Sequence, residues 1–309
     1  MINKLTNDFI IALAPMAGVT DFAFRNICAD YGANMVVTEM ISAKAFEHSS
    51  KKTIEMLREE NHNAIKCVQL FGHDPNSLTN IIKSGVLDKF DCIDINCGCP
   101  APKIVGNKEG SYLMNDIETA RKCIEAIRSS TDKPISVKFR LGINNKSNYL
   151  EFGKMCEECG VNFVTLHART REQQYAGDVD KEAYKNLVKE LNIPDIWSGN
   201  ILTKEDVKYA KSIGCKGVMI ARGALGNPEI FTNLTNTKPP YSKKQTILKH
   251  LNLIREHLNN DRITHNYFKK HLAWYCKNLD NIAEFRRRAV SVTSVEEILS
   301  IIDELPENF

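Results

Sequence analysis

No apolar run in this 309-residue sequence approaches the roughly 20 residues that a membrane-spanning helix requires. The first ten residues include Asn3, Lys4, Asn7 and Asp8, which is not the charged-then-apolar layout of a secretory signal. A cytoplasmic protein with no membrane partner is the expectation. The ten cysteines form no disulfide framework: they are spread from Cys28 to Cys276, mostly on apolar segments, as small buried thiols would be. Two local pairs stand out, Cys97-Gly-Cys99-Pro and Cys156-Glu-Glu-Cys159. The second is a lone C-x-x-C without the companion ligands of a zinc site, so it reads as structural and no metal is expected. Nor does any G-x-G-x-x-G follow a strand pattern, which argues against a Rossmann dinucleotide site.

What is present supports a real core and a localised charge. Hydrophobic residues make up 43% and charged residues 26%, an ordinary balance for a soluble protein. The net charge of +3 is unevenly spread. From Lys243 to Arg288 there are eleven basic and four acidic residues, a net +7, and the tail from Ala289 returns five negative charges. A concentrated basic stretch is what a polyanion-binding surface requires.

Eight short β-branched runs alternate with helical patterns: Ile10–Ala14, Met35–Glu39, Ile65–Phe71, Cys92–Asn96, Ile135–Arg140, Phe163–His167, Asp195–Ser198 and Gly217–Ala221. Between them lie amphipathic stretches such as Ile117–Ser129, Tyr149–Cys159 and Lys204–Ile213. Near-continuous apolar strands imply a parallel sheet with helical crossovers. Eight strand–helix units predict a closed (β/α)8 TIM barrel, with a doubly wound open sheet as the alternative. The pattern breaks at Thr237-Lys-Pro-Pro-Tyr241, which reads as a linker. Beyond it only helical spacing remains, over Ile247–Leu258, Asn266–Asn278, Asn281–Val290 and Val295–Leu305. The expected division is a barrel over residues 1–236 and a small all-helical domain over 237–309.

Active sites of such barrels lie at the C-terminal ends of the strands. Those ends carry Ala14-Pro15-Met16-Ala17-Gly18, Gln69, Asn96-Cys97-Gly98-Cys99-Pro100, Lys138 and Arg140, His167-Ala168-Arg169, Ser198-Gly199-Asn200 and Ala221-Arg222-Gly223. Polar, Gly and Cys residues gathered this way predict one site assembled from many strands. The loops after strands seven and eight are where barrels hold a phosphate on backbone N–H groups, and Arg222 adds a planar fork for its oxygens. FMN is the natural phosphate-bearing cofactor for a barrel. Several of these residues carry a second reading. Arg222 can be a surface arginine beside a tight turn, His167 a satisfied core histidine, Lys138 a Schiff-base lysine, and Cys97 a packed thiol.

The wording of the motifs resembles the tRNA-dihydrouridine synthase family. The resemblance rests on Ala14-Pro-Met-Ala-Gly-Val-Thr-Asp-Phe-Ala-Phe-Arg25 and on Asp94-Ile-Asn-Cys-Gly-Cys-Pro100, with Lys103, Val105, Gly110 and Leu113-Met114 after it. Val137-Lys-Phe-Arg-Leu-Gly142, Leu166-His-Ala-Arg169, Ser198-Gly-Asn-Ile201 and Met219-Ile-Ala-Arg-Gly-Ala224 follow in order, and His271-Leu-Ala-Trp-Tyr275 with Arg286-Arg-Arg288 resembles that family's helical RNA-binding domain. The resemblance covers nearly the whole chain. It implies that FMN, reduced by NADPH or NADH, delivers hydride from N5 to C6 of a uridine in tRNA while Cys99 gives a proton to C5. Pro15, Met16 and Ala17 would line the flavin ring, and Gln69 and Lys138 would bond its polar edge. Gly199, Asn200, Ala221 and Arg222 would hold the ribityl phosphate, and Ser198 would be a further cofactor contact. Asn96, Lys138, His167 and Arg169 would surround flavin and target base. Lys269, Lys270, Arg286, Arg287 and Arg288 would meet tRNA phosphates, and a monomer is expected. Many relatives have Gly where Ala221 stands and often Asn at Ser198; both residues here are small, so altered packing is expected, not loss of flavin.

The chemistry wants such residues. Hydride addition at C6 places negative charge on C5 and O4, which Lys138, His167 or Asn96 can stabilise. A thiol with an ordinary pKa of about 8.5 is protonated at neutral pH and can act as an acid. A stacked uridine cannot show both faces, so the base must be flipped or come from a loop. Trp274 and Tyr275 could stack on bases, but their apolar neighbours favour helix core, and Arg286–Arg288 could be a solvated face. Three rivals stay open at this point: a flavin barrel acting on a free small molecule, an RNA-binding protein without catalysis, and the same chemistry on ribosomal RNA.

Overall fold

The computed structural model describes residues 8–58, 62–144, 146–279 and 282–309. Eight parallel strands form its centre: β1 Ile10–Leu13, β2 Met35–Val37, β3 Ile65–Phe71, β4 Cys92–Cys97, β5 Ile135–Arg140, β6 Phe163–His167, β7 Asp195–Ser198 and β8 Gly217–Ile220. Their order is β2–β1–β8–β7–β6–β5–β4–β3, and pairing of Met35 with Ile65 closes the ring. The closed barrel expected from the eight runs is the fold, and the open-sheet alternative is discarded. Strands buried on both faces explain why the runs read as continuous. One face fills the lower barrel with Ile10, Ala12, Met35, Cys67, Phe163 and Ile196. The other packs residues such as Leu13, Val68, Ile93 and Val164 against the surrounding helices.

Those helices are α1 Phe22–Asp30, α2 Pro75–Lys83, α3 Ile117–Arg128, α4 Tyr149–Glu158, α5 Lys181–Glu190, α6 Lys204–Ser212 and α7 Glu229–Thr235. Most begin at a side chain that accepts from a first-turn N–H: Asp21, Asp74, Asp116, Asp180 and Thr203. Four further helices follow: α8 Lys243–Leu258, α9 Asp261–Tyr275, α10 Ile282–Ser291 and α11 Val295–Glu304. The apolar periodicity places the start of α8 at Ile247, but it begins four residues earlier. A capping box explains the difference: Ser242 accepts from the Gln245 N–H while Gln245 accepts from that of Ser242. Among the described residues no helix is long and apolar enough to cross a membrane.

The C-terminal helices have their own core, built on Ile247, Leu251, Phe268, Leu272, Ile298 and Ile302. Helix α1 joins it to the barrel. Ala23 of α1 belongs to the C-terminal core, and Lys249 Nζ pairs with Asp30 at 2.7 Å. At the centre of this joint the buried Asp21 carboxylate accepts from Phe24 N at 2.9 Å and from His271 Nε2 at 3.1 Å. His250 Nε2 lies 3.9 Å from the same carboxylate, and its Nδ1 meets the Tyr275 hydroxyl at 3.0 Å. Burial alone would raise the Asp21 carboxyl, but the two imidazoles beside it outweigh that and hold it well below the usual range. Burial, and then the neighbouring His250, push His271 down to about 4.

Both shifts have the same consequence in acid. A neutral His271 stabilises the fold fully above the unfolded value of about 6.5, and that contribution is lost as pH falls towards 4. The Asp21 contribution is lost as pH falls below the ordinary carboxylate value, in the same direction. The joint should weaken by up to about 3 kcal/mol on acidification, from the size of the His271 shift. Thermal melts between pH 7.5 and 4.5 should show a falling transition temperature in the parent chain and a shallower fall in His271→Gln. Equal slopes in the two proteins would show that His271 does not carry the effect.

Candidate active site

The C-terminal ends of all eight strands open on one cavity of about 780 Å³. Most strand-end residues expected from the sequence line it, among them Pro15, Met16, Ala17, Gln69, Asn96, Cys99, Lys138, His167, Arg169, Ser198, Gly199, Asn200, Ala221 and Arg222, while Gly18, Cys97 and Ala168 do not. The structure adds residues that the sequence did not single out, notably Met40, Gln174, Tyr175 and Leu202, and it turns Arg140 into the wall. Tyr175 and Leu202 are both exposed at the cavity, on loops after β6 and β7. Nothing periodic marks such loop positions.

Charge in the cavity has one sign. Lys138, Arg140, Arg169 and Arg222 line it, and among the described residues no carboxylate does. Burial, and then Arg140, bring Lys138 down to about 8, so it stays mostly protonated at neutral pH and suits a donor more than an imine-forming nucleophile. Burial and then the four flanking cations drive the His167 pKa far down, so the ring is neutral. Arg169 Nη1 lies 3.1 Å from His167 Nε2 and can only donate, which assigns the ring proton to Nδ1. The rest of the Arg169 guanidinium is committed to the loop after β6, donating to Ala176 O and Gly177 O. Arg140 does likewise, reaching Thr170 O at 3.1 Å and Gln174 O at 2.9 Å, while its Nε donates to Gly98 O at 2.8 Å.

Cys99 is the only half-exposed cysteine; the other nine are buried. Its loop is held from both sides. Asn96 Oδ1 accepts from Gly98 N at 3.1 Å and Cys99 N at 2.9 Å, and Cys99 O accepts from Ser111 N at 3.0 Å. Burial raises the thiol above its ordinary pKa, opposed by the Ala101 N–H and the cations of Arg140 and Lys138. The group is therefore a thiol at neutral pH, poised to give a proton. Cys97, two residues earlier, is fully buried in the outer core, as the packed-thiol reading expects.

The opposite rim carries features that suit a phosphate. Gly199 has φ 114°, and a Cβ there would stand 2.8 Å from the His167 ring and 2.9 Å from Val179. Asn200 follows in the left-handed region and accepts from Arg222 Nη2 at 3.3 Å. No side chain caps the short 3₁₀ turn Arg222–Ala224. Arg222 stacks 5.0 Å from the Tyr175 ring. The donor set here, an arginine fork and uncapped backbone beside a glycine that cannot bear a side chain, fits a phosphate-bearing cofactor.

The basic residues expected on the C-terminal helices lie outside the cavity lining. Lys270 Nζ comes within 3.5 Å of where a Cβ on Gly18 would be, next to the loop that carries Pro15–Ala17. Lys269 is bonded to Asn266, Arg286 and Arg287 are exposed, and Arg288 is committed to a two-pronged ion pair with Glu304. Trp274 is partly buried against the barrel core and Tyr275 is buried, which places both largely in helix packing. Cys156 and Cys159 are buried thiols. Among the described residues, Asp21, His250 and His271 are the one His/Cys/Asp/Glu group with its ligand atoms within 4.8 Å of one another.

Comparison with known proteins places this geometry. A family model described as dihydrouridine synthase matches residues 12–308. The chain belongs to the dihydrouridine synthase family. It is 34% identical over 289 residues to a probable tRNA-dihydrouridine synthase of Rickettsia conorii, covering 89% of this chain and 87% of that relative. It is 32% identical over 295 residues to tRNA-dihydrouridine synthase B of Vibrio parahaemolyticus, covering 92% and 91%. With the Shewanella oneidensis tRNA-dihydrouridine synthase B the identity is 30%, over 99% and 98% of the two chains. Membership makes the chain a dihydrouridine-forming oxidoreductase. Among solved structures, a variant of NCR from Zymomonas mobilis superposes with a TM-score of 0.55 at 14% identity, over 74% of this chain and 87% of that one. At that identity the likeness concerns the barrel alone.

Proposed function

We propose that the chain reduces the C5=C6 bond of uridines in tRNA, with FMN held in the cavity, NADPH or NADH as reductant, and Cys99 as the proton donor. The observation that carries this reading is a cavity lined by four cations and no carboxylate among the described residues, with a half-exposed thiol on its wall. FMN, when bound, supplies the hydride that adds at uracil C6. The residues of the chain do the rest. Pro15, Met16 and Ala17 offer an apolar face to the ring system, and Gln69 and Lys138 donate to its polar edge. Gly199, Asn200, Ala221 and Arg222 take the phosphate, with Ser198 behind them.

Lys138, the amide of Asn96 and the Nδ1–H of the neutral His167 are the donors available to negative charge growing on uracil O4. Cys99 then gives its proton to C5, and the thiolate is reprotonated from water, so that uridine gains two hydrogens overall. A base caught between flavin and thiol must leave its stack. Residues 237–309 are the surface that would hold the RNA while it does so, with Lys269, Lys270, Arg286 and Arg287 on phosphates and Arg288 released from Glu304 to join them. Such contacts weaken steeply with salt.

The test is direct. Purified protein with NADPH and tRNA transcribed without modifications should yield dihydrouridine by nucleoside mass spectrometry, more slowly at higher salt. Reduction of free uracil or of ribosomal RNA, with no dihydrouridine in any tRNA, would overturn the substrate assignment.

A further inference from the structure

The floor beneath the cavity holds a buried carboxylate that the reaction above does not use. Asp94 sits on β4, two residues before Asn96, and does not line the cavity. Its Oδ1 accepts from Ser136 Oγ at 2.6 Å and its Oδ2 from Gln69 Nε2 at 2.7 Å. Gln69 Oε1 in turn accepts from Asn96 Nδ2 at 2.8 Å. Asn96 Oδ1 accepts from Gly98 N and Cys99 N. A single chain of hydrogen bonds thus runs from the barrel interior to the backbone of the proton donor.

The direction of that chain is not free. An ionised carboxylate only accepts, whereas each carboxamide can present either its oxygen or its NH₂ to a neighbour. Asp94 therefore requires the NH₂ of Gln69. The Gln69 oxygen must then face Asn96, Asn96 must answer with its NH₂, and its oxygen is left for the Cys99 amide. Reverse any link and the NH₂ of Asn96 would confront two backbone N–H groups, donor against donor. We propose that Asp94 is a positioning residue: its charge sets the polarity of the Gln69–Asn96 relay and thereby fixes the Cys99 loop. The role of the loop in proton donation rests on the function proposed above; the relay itself does not.

A neutral isostere at position 94 removes the constraint while keeping shape. In Asp94→Asn, both carboxamides can turn over, and the cap on Gly98 N and Cys99 N is lost for part of the population. Moving the charge one link along should restore it. In the double variant Asp94→Asn/Gln69→Glu, the carboxylate introduced at position 69 accepts from the new amide at position 94 on one oxygen and from Asn96 on the other, so Asn96 again turns its oxygen to Cys99.

The experiment reads backbone hydrogen exchange at Gly98 and Cys99 in the full-length chain as purified, with and without added FMN. Asp94→Asn should exchange at least tenfold faster at both amides, and the double variant should return towards the parent rate. With tRNA, Asp94→Asn should lose 10- to 100-fold in kcat, with KM for tRNA unchanged. Parent-like exchange in Asp94→Asn, or a double variant as fast as the single one, would overturn the relay. Should Asp94→Asn fail to fold, Gln69→Met interrupts the same chain one link higher, and parent-like exchange there overturns it equally. A parent chain that forms no dihydrouridine condemns the proposed function instead and leaves the exchange readout intact.

Discussion

Cys99→Ala should keep flavin and tRNA bound and slow dihydrouridine formation by about 10²–10⁴-fold, the range typical of a lost general acid. The side chain is partly exposed at the cavity wall, and its removal opens no core void. The alanine can keep the Asn96 cap on its backbone N–H, because that bond does not involve sulfur. What disappears is the proton for C5. The thiol pKa is raised by burial, so the parent enzyme holds the proton across the neutral range and loses donation as pH rises through that raised value. Two alkaline falls in the single-turnover rate are therefore expected in the parent, one near 8 from Lys138 and a higher one from Cys99, and the variant should keep only the first. Single-turnover reduction of tRNA followed by mass spectrometry decides it. A variant as fast as the parent would remove Cys99 from the chemistry.

The second large effect lies far from the chemistry, at Gly226. This residue has φ 62°, and a Cβ on it would fall 2.2 Å from the Trp274 carbonyl carbon, 2.3 Å from its oxygen and 2.5 Å from Tyr275 N. All three are backbone atoms of the end of α9, which cannot rotate aside as a side chain can. Gly226→Ala must therefore lift the C-terminal helices from the barrel or distort the loop after β8. Overpacking of this kind costs roughly 3 kcal/mol, and the left-handed backbone adds to it. We expect a transition temperature lower by about 5–10 °C. We also expect a raised KM for tRNA, with flavin content kept because Arg222 and Gly223 precede the change. Gly106→Ala is the control, since a Cβ there meets nothing within 4 Å. If the two variants melt alike, the close approach at Gly226 is not holding the C-terminal helices to the barrel.

The barrel was legible because each strand is buried on both faces, so runs such as Ile135–Arg140 and Phe163–His167 stand out with their observed bounds. Helix starts were less legible where the apolar stripe does not set them: a capping box does so at Ser242, and α9 opens at Asp261 before its periodicity begins, with no side-chain cap. The cavity-lining residues could be read because barrels gather function at one end of the strands and these residue types are costly elsewhere. Three features were beyond reach. Tyr175 enters through a loop with no period. The joint of Asp21 with His271 spans 250 positions in the chain. The relay from Asp94 depends on which way two amides face, and composition carries no trace of that.

The distribution of sulfur has one more consequence. Nine thiols are sealed in packed interior, and the tenth keeps its proton in a half-closed wall. Peroxides and disulfides attack through the thiolate, so the burial that suits Cys99 to donate also slows its oxidation. Thiol oxidation, when it does come, has a single open address among the ten cysteines, and on the function proposed above it would silence turnover while the fold survives.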